Sequence, residues 1–383
     1  MQGFSNNVLN KPVIMGTRGT EGMLSQIEDY IKEWRGTPDE NFIIEAFCPR
    51  FSSGEAKGLI KDSIRDKDIF ILCDCFNYGV KYKMYGMDVP MSPDDHFQDL
   101  KRIISAIGGK ASRISVIMPM LYESRQHRVS GRESLDCAVA LQELKNMGVE
   151  NVMTFDAHDD RIKNAVPFMG FDNLMPTYQT LKAFVGEYDD LDLSNIIIVS
   201  PDEGALNRGM YYSYVLGGKL SMFYKRRDYS VVENGRNPIV AHEYLGDDIN
   251  GKDVIVVDDI LSSGDSFLHI MDKLKAKGAK RIFGFFSFGL FCNGLEIFDE
   301  YYKNKMFDKI FTTNSVYITD ELRTREWFCE VNVLKYIAYY IEALTRHYPI
   351  SKLIDSSSRI EALLAPLKEK NANKQISMDN KLH

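Results

Sequence analysis

Asp258 and Asp259 follow four β-branched apolar residues, Val254–Val257, and soon give way to Ser262-Ser263-Gly264-Asp265-Ser266. Two carboxylates at the end of a buried strand, followed by small residues, form a chemical pattern. Ser262–Ser266 lies between that strand and a helix expected to begin near Ser266, so its backbone N–H groups point at a common centre. The helix N-terminus adds positive potential there, and together they make an anion site best suited to a phosphate. Gly264 lets the backbone approach such a ligand closely. Asp258 and Asp259 can accept hydrogen bonds from sugar hydroxyls or hold a metal through water. Acids for hydroxyls beside amides for a phosphate describe a sugar phosphate. A plain strand terminus with a helix N-cap uses the same residue types, so the segment alone leaves both readings open.

The elements that must position these groups alternate along the chain. Apolar runs at Ile69–Cys75, Ile114–Met118, Asn151–Phe155, Ile196–Ser200, Leu220–Lys225, Val254–Val257 and Arg281–Phe286 are expected strands. Helical patterns, such as Leu135–Met147 and Phe267–Lys277, lie between several of them. The alternation predicts an α/β fold of mainly parallel sheets covered by helices on both faces. Ligands of such sheets sit beyond the carboxyl ends of the strands. Those ends carry Asp156-Ala157-His158, Pro201-Asp202-Glu203-Gly204, Lys225-Arg226-Arg227 and Asp258-Asp259. Each alone is ordinary loop polarity; the four together exceed what a solvated rim needs.

The chain has 383 residues, enough for two domains, and 44% of them are hydrophobic, as in soluble globular proteins. No apolar run approaches a membrane span, and the first residues lack the basic start and apolar block of a secretory signal. The net charge of −7 argues against a nucleic-acid-binding surface. The six cysteines lack metal-type spacing and read as free buried thiols of a cytoplasmic protein. Cys73 and Cys75 would point to opposite faces of a strand over Ile69–Cys75. Ser356–His383 is polar and reads as a loose tail with one short helix at Arg359–Lys368.

The segment VIVVDDILSSGDSF resembles the ribose-5-phosphate loop of phosphoribosyltransferase folds, and the chain from about residue 12 to 350 resembles the ribose-phosphate pyrophosphokinase family. Further motifs follow in that family's order: GTRGTEGMLSQIEDYI, RFSSGE at Arg50–Glu55, ESRQHR at Glu123–Arg128, FDAHDDRI, VSPDEGALNR and FYKRRD at Phe223–Asp228. The resemblance implies two tandem phosphoribosyltransferase-like domains, at 12–165 and 166–350, with the polar tail at 351–383. It implies transfer of the diphosphate of Mg-ATP to the anomeric hydroxyl of ribose 5-phosphate, giving phosphoribosyl diphosphate and AMP.

The roles it implies fit the residue types. Lys225 and Arg227 neutralise charge on the transferring group. Arg125, Gln126, Arg128 and Arg132 hold ATP, as do Phe51, Ser53 and Glu55 on a loop that reaches a neighbouring subunit's ATP, so a homo-oligomer is implied. His158 and Asp202 fix Mg²⁺ directly or through water. Asp258, Asp259, Ser262, Ser263, Gly264, Asp265 and Ser266 hold ribose 5-phosphate. Several positions depart from the family's pattern. The phosphate loop has Ser262 in place of an acid and a carboxylate at Asp265. Ser53 replaces an Asp or Asn that reads adenine, and His127 stands where an acid is usual. Tyr78–Pro93 looks like an insertion, long enough for a lid or an oligomer contact. A regulatory paralogue and a phosphoribosyltransferase that consumes phosphoribosyl diphosphate stay open as alternatives.

Overall fold

Ile196–Ser200 and Pro12–Gly16 are buried along their whole length, as parallel strands covered on both faces must be. The computed structural model describes residues 11–227 and 239–379, and the side chains of 11–224 and 243–371. The chain folds as two compact units. One comprises the residues up to Pro176 with Asn314–Tyr317 and Asn332–Asp355; the other comprises Thr177–Thr313, Ile318–Val331 and everything from Ser356.

In the first unit the order is β1 (Pro12–Gly16), α1 (Glu21–Arg35), the short pair β2 (Ala46–Phe47) and β3 (Leu59–Ile60), β4 (Asp68–Leu72), the hairpin β5 (Lys81–Met84) and β6 (Met87–Pro90), α2 (Pro93–Ile107), β7 (Arg113–Ile117), α3 (Asp136–Asn146), β8 (Asn151–Phe155) and β9 (Gly170–Leu174). The five-stranded sheet runs β1-β4-β7-β8-β9, all parallel. Helix α2 starts in a capping box, with the Ser92 hydroxyl accepting from the Asp95 amide and the Asp95 carboxylate accepting from the Ser92 amide. Its Leu100, Ile103, Ile104 and Ile107 are buried with Ile69, Ile71, Ile114 and Val116 of the sheet.

The second unit holds α4 (Thr177–Glu187), β10 (Ile196–Ser200), α5 (Leu206–Leu216), β11 (Lys219–Arg227), β12 (Ile239–Leu245), β13 (Asp253–Leu261), α6 (Asp265–Ala276), β14 (Arg281–Gly289), α7 (Glu296–Lys303), β15 (Lys309–Thr313), α8 (Asp320–Arg323) and β16 (Phe328–Val331). Helices α9 (Leu334–Thr345) and α10 (Ser351–Ile354) belong to the first unit, and α11 (Ser357–Asp379) returns to the second. The seven-stranded sheet runs β12-β11-β10-β13-β14-β15-β16, parallel except for the antiparallel edge strand β12. Alternation sends Ile197, Val199, Val254 and Val256 to one core, and Ile196, Ile198, Ile255 and Val257 to the other.

Several expectations shift. The bounds at 165/166 and 350/351 differ from the two units because β9 pairs with β8, and because α9 is tied to α1. In that tie the Arg35 Nε donates to Glu342 Oε1 at 2.7 Å and the Arg346 Nε donates to Glu342 Oε2 at 2.6 Å, all three side chains being nearly fully buried. The expected loose tail is instead α11, because Ile360, Leu364 and Leu367 recur at helical spacing and bury in the second core. β4 stops at Leu72, so Cys73 and Cys75 do not alternate across a strand; their Sγ atoms lie 3.6 Å apart. All six cysteines are free, but Cys292 is exposed and Cys48 and Cys329 are only partly buried. β13 does not end at Val257: it continues through both acids to Leu261, because the long strand β14 keeps pairing with it, Asp258 opposite Phe286 and Ile260 opposite Phe288.

Candidate active site

The acids of β13 are thus mounted in a sheet. The Asp258 Oδ1 accepts from the Asp259 amide at 2.9 Å, and the Asp259 Oδ1 accepts from the Ile260 amide at 3.0 Å. Asp259 is 3% exposed, a costly place for a lone carboxylate. Its counter-charge is Arg208 of α5, whose Nη2 lies 3.4 Å from the Asp259 Oδ2. Asp258 carries a proton more readily than an ordinary carboxyl: burial pushes its pKa well up, and the charges of Asp259 and Asp202 add to the effect. Asp202, just beyond β10, therefore acts on the same locale; its Oδ1 accepts from the Gly204 amide at 2.9 Å.

The loop after β13 turns at Gly264, where φ is +91°, and α6 begins at Asp265, one residue earlier than expected. A Cβ at Gly264 would stand 2.3 Å from the Cζ of the buried Phe298. Only glycine meets both demands. The Ser263 hydroxyl donates to the Asp265 Oδ2 at 2.8 Å, and Asp265 and Ser266 are exposed. The Ser262 carbonyl accepts from the Cys292 amide at 2.9 Å, and the Ser262 hydroxyl lies 3.5 Å from the Cys292 thiol, so the segment after β14 backs this loop.

Lys225 and Arg227 lie on β11, which extends to Arg227 rather than stopping at Lys225; Lys225 pairs with His242 and Arg227 with Ile239 on β12. Their side chains, and Asp228 beyond them, lie outside the described residues.

In the first unit the charged groups are borne by loops. Glu123–Leu135 has no regular structure, and Glu123 itself sits at φ +54°. Among the described residues no ion pair engages Arg125, Arg128 or Arg132, all exposed; Glu133 instead accepts from the Ser130 amide and hydroxyl. Gln126 spends its amide on the Ser134 carbonyl at 2.7 Å and the Arg128 carbonyl, so it shapes the loop. The His127 Nδ1 meets the Ser124 carbonyl at 3.2 Å, its Nε2 lies 3.4 Å from the Asp159 Oδ2, and its ring centroid is 5.3 Å from that of His158. His127 thus joins the arginine loop to the loop after β8. Farther along this unit, Phe51–Glu55 forms a tight turn: the Phe51 amide donates to the Glu55 carbonyl at 2.7 Å, and the Ser53 hydroxyl donates to the Glu55 carboxylate at 2.8 Å.

Structure therefore unites Asp202, Asp258 and Asp259 with the Ser262–Ser266 loop, and His158 with the Arg125–Arg128 segment. Among the described residues no cluster of three or more His, Cys, Asp or Glu side chains is arranged to enclose a metal. A cation that keeps its waters suits Asp202 and its acidic neighbours better than a stripped one. The sequence alone does not single out Arg208. It closes the segment VSPDEGALNR, and the signal was the need of a buried acid pair for a positive partner.

The N-terminal domain model of ribose phosphate pyrophosphokinase matches residues 14–148, and the phosphoribosyl transferase domain model matches 175–288. The chain belongs to the ribose-phosphate pyrophosphokinase family. A ribose-phosphate pyrophosphokinase of Vibrio parahaemolyticus is 25% identical over 315 residues, 81% of this chain and 91% of its own. Another, of Ureaplasma parvum, is 29% identical over 226 residues, 58% of this chain and 66% of its own. The crystal structure of the phosphoribosylpyrophosphate synthetase of Mycobacterium smegmatis superposes with a TM-score of 0.69 at 18% identity, covering 88% of this chain and all of that one, and so shares its fold. Both units are phosphoribosyltransferase-like, as the resemblance implied. No helix among the described residues is long and apolar enough to cross a membrane.

Proposed function

We infer that this protein is a ribose-phosphate diphosphokinase: the anomeric hydroxyl of ribose 5-phosphate attacks the β-phosphorus of ATP, AMP leaves, and phosphoribosyl diphosphate is formed for nucleotide biosynthesis. The observation that carries this reading is the acid pair held in β13 directly before a glycine-turned loop and a helix N-terminus. The Ser262–Ser266 amides and the start of α6 suit the 5-phosphate. Asp259, held beside Arg208, accepts from a ribose hydroxyl. Asp258, next to it on β13, offers a second carboxyl to the ribose hydroxyls.

Phosphoryl-type transfer asks for positioning and charge neutralisation rather than covalent help. Lys225 and Arg227 supply the positive charge that counts in the transition state. The unpaired Arg125, Arg128 and Arg132 receive the nucleotide's phosphates, and Phe51 offers it an apolar face. His158 in one unit and Asp202 in the other would each offer a side chain to Mg²⁺, which when bound screens the triphosphate charge. The exposed Phe51–Glu55 turn fits a role at a neighbouring subunit's nucleotide, which makes the working form a closed homo-oligomer in the cytoplasm. The test is release of AMP from ATP that depends on ribose 5-phosphate and Mg²⁺. Hydrolysis of ATP indifferent to ribose 5-phosphate, or no AMP at all, would overturn the reading.

A further inference from the structure

The segment Tyr78–Pro93 is a built hairpin placed against the Phe51–Glu55 turn. β5 and β6 pair with Met84 opposite Met87, so Tyr85-Gly86 is a two-residue connection, with φ of +48° and +81°. Such turns favour Asn-Gly, and a tyrosine at positive φ is strained. Yet the Tyr85 ring is 76% exposed, so burial does not compensate that strain.

Three contacts join hairpin and turn. The Tyr85 amide donates to the Ser52 carbonyl at 2.9 Å. Gly54, at φ +93°, lies so close that a Cβ there would be 2.8 Å from the Met84 sulfur. The Arg50 guanidinium lies 4.9 Å from the Tyr82 ring centroid while its Nη1 donates to the buried Asp99 at 2.6 Å. The Arg50 side chain is itself buried, and its Nε and Nη2 have no hydrogen-bond partner. The ring face of Tyr82 is thus what fastens an otherwise half-satisfied cation at the root of the turn.

We propose that the β5–β6 hairpin is a nucleotide-specificity element: it fixes the Phe51–Glu55 turn through Tyr82 and Tyr85, and presents the exposed Tyr85 ring at that turn as a second surface for the base. This rests on the nucleotide reading of the turn. It also accounts for Ser53, whose hydroxyl is engaged by Glu55 and does not need to read the base. Tyr82 is a positioning residue; Tyr85 would touch the nucleotide.

Two variants test it. Tyr85→Gly removes the ring and relieves the positive φ, so the hairpin keeps its shape. The KM for ATP should rise about tenfold, as for loss of one base-stacking ring, with kcat and the KM for ribose 5-phosphate nearly unchanged. An unmoved KM for ATP overturns the proposal. Tyr82→Ala should speed hydrogen exchange at the Ser52–Gly54 amides about tenfold in nucleotide-free protein, and Tyr82→Phe should restore the slow rate. Unaltered exchange in Tyr82→Ala equally overturns it. The exchange readout needs no nucleotide. If the unmodified protein releases no AMP while Tyr82→Ala exchanges faster, the functional reading has failed and the brace stands.

Discussion

The two units carry their charged groups differently. In the second, Asp259 and Arg208 are locked side by side, each with its side chain less than a tenth exposed, on a strand and a helix. In the first, Arg125, Arg128 and Arg132 stand exposed on a loop without regular structure. A small rigid ligand profits from a site that is already formed, because little ordering remains to be done when it binds. A long flexible triphosphate is better met by side chains that can follow it. On the proposed function, ribose-phosphate recognition is mounted on the sheet, and nucleotide recognition on loops that something else must steady.

The sharpest test of that contrast is to remove charge used only in the transition state. Alanine at Lys225 or Arg227 should lower kcat about a hundredfold or more and leave the KM for ribose 5-phosphate nearly unaltered. A change confined to KM would reassign both residues to ground-state binding. Next in size is Gly264→Ala. The new methyl must occupy space 2.3 Å from the Phe298 ring at a φ of +91°, so the loop moves. The KM for ribose 5-phosphate should rise about tenfold or more while ATP binding, measured by calorimetry, stays put. Loss of both affinities together would deny that the preformed site belongs to one unit alone.

Buried acids give a third comparison. Asp259 has an arginine, whereas Asp74 of the first unit, 1% exposed, has the amides of Phe76 and Tyr317 at 3.0 and 2.8 Å. Burial outweighs those two bonds and pushes the Asp74 carboxyl up to about 7. The folded state then keeps this proton where the unfolded chain, with an ordinary Asp near 4, has lost it. Its contribution to stability is complete below about pH 4 and is lost as the pH rises through about 7. The first unit's Tm should fall by about 5 °C between pH 5 and pH 7, and Asp74→Asn should flatten that slope. A slope of opposite sign would show that the amides dominate.

The strands of the sheets were legible because Val254–Val257 and Ile196–Val199 are short continuous apolar runs, as strands covered on both faces must be. The carboxyl-end rule made Asp202, Asp258 and His158 candidates, and the structure places Asp202 near Asp258 and His158 near His127. What stayed hidden needed three dimensions. Arg208 is one arginine among many until its burial beside Asp259 is seen. Helix α11 was obscured because only Ile360, Leu364 and Leu367 carry its apolar face within a polar stretch. The Tyr85-Gly86 turn was invisible because tyrosine is not a residue that predicts positive φ, so its hairpin read only as an unassigned insertion.

The smallest expected effect concerns Asp265, a carboxylate beside the proposed phosphate site. A helix N-terminus welcomes one anion, and either the ligand's phosphate or the Asp265 side chain could take that place. An inward carboxylate about 6 Å from the phosphate would cost about 3 kcal/mol per pair of charges at an effective dielectric near 20, close to a hundredfold in affinity. In the structure Asp265 is exposed, and its Oδ2 accepts from the Ser263 hydroxyl at 2.8 Å. The carboxylate is therefore occupied within the loop, while the backbone amides keep the anion site. Asp265→Gly has two effects at the ligand: loss of a weak repulsion, and release of Ser263, whose hydroxyl becomes free to donate to the phosphate. Both favour the ligand slightly, against a more flexible start to α6. The affinity for ribose 5-phosphate, by calorimetry, should change less than about threefold, under about 1 kcal/mol. A gain of about tenfold or more would place the carboxylate in the anion site itself, and the contrast between a preformed site and an adaptable one would then need redrawing.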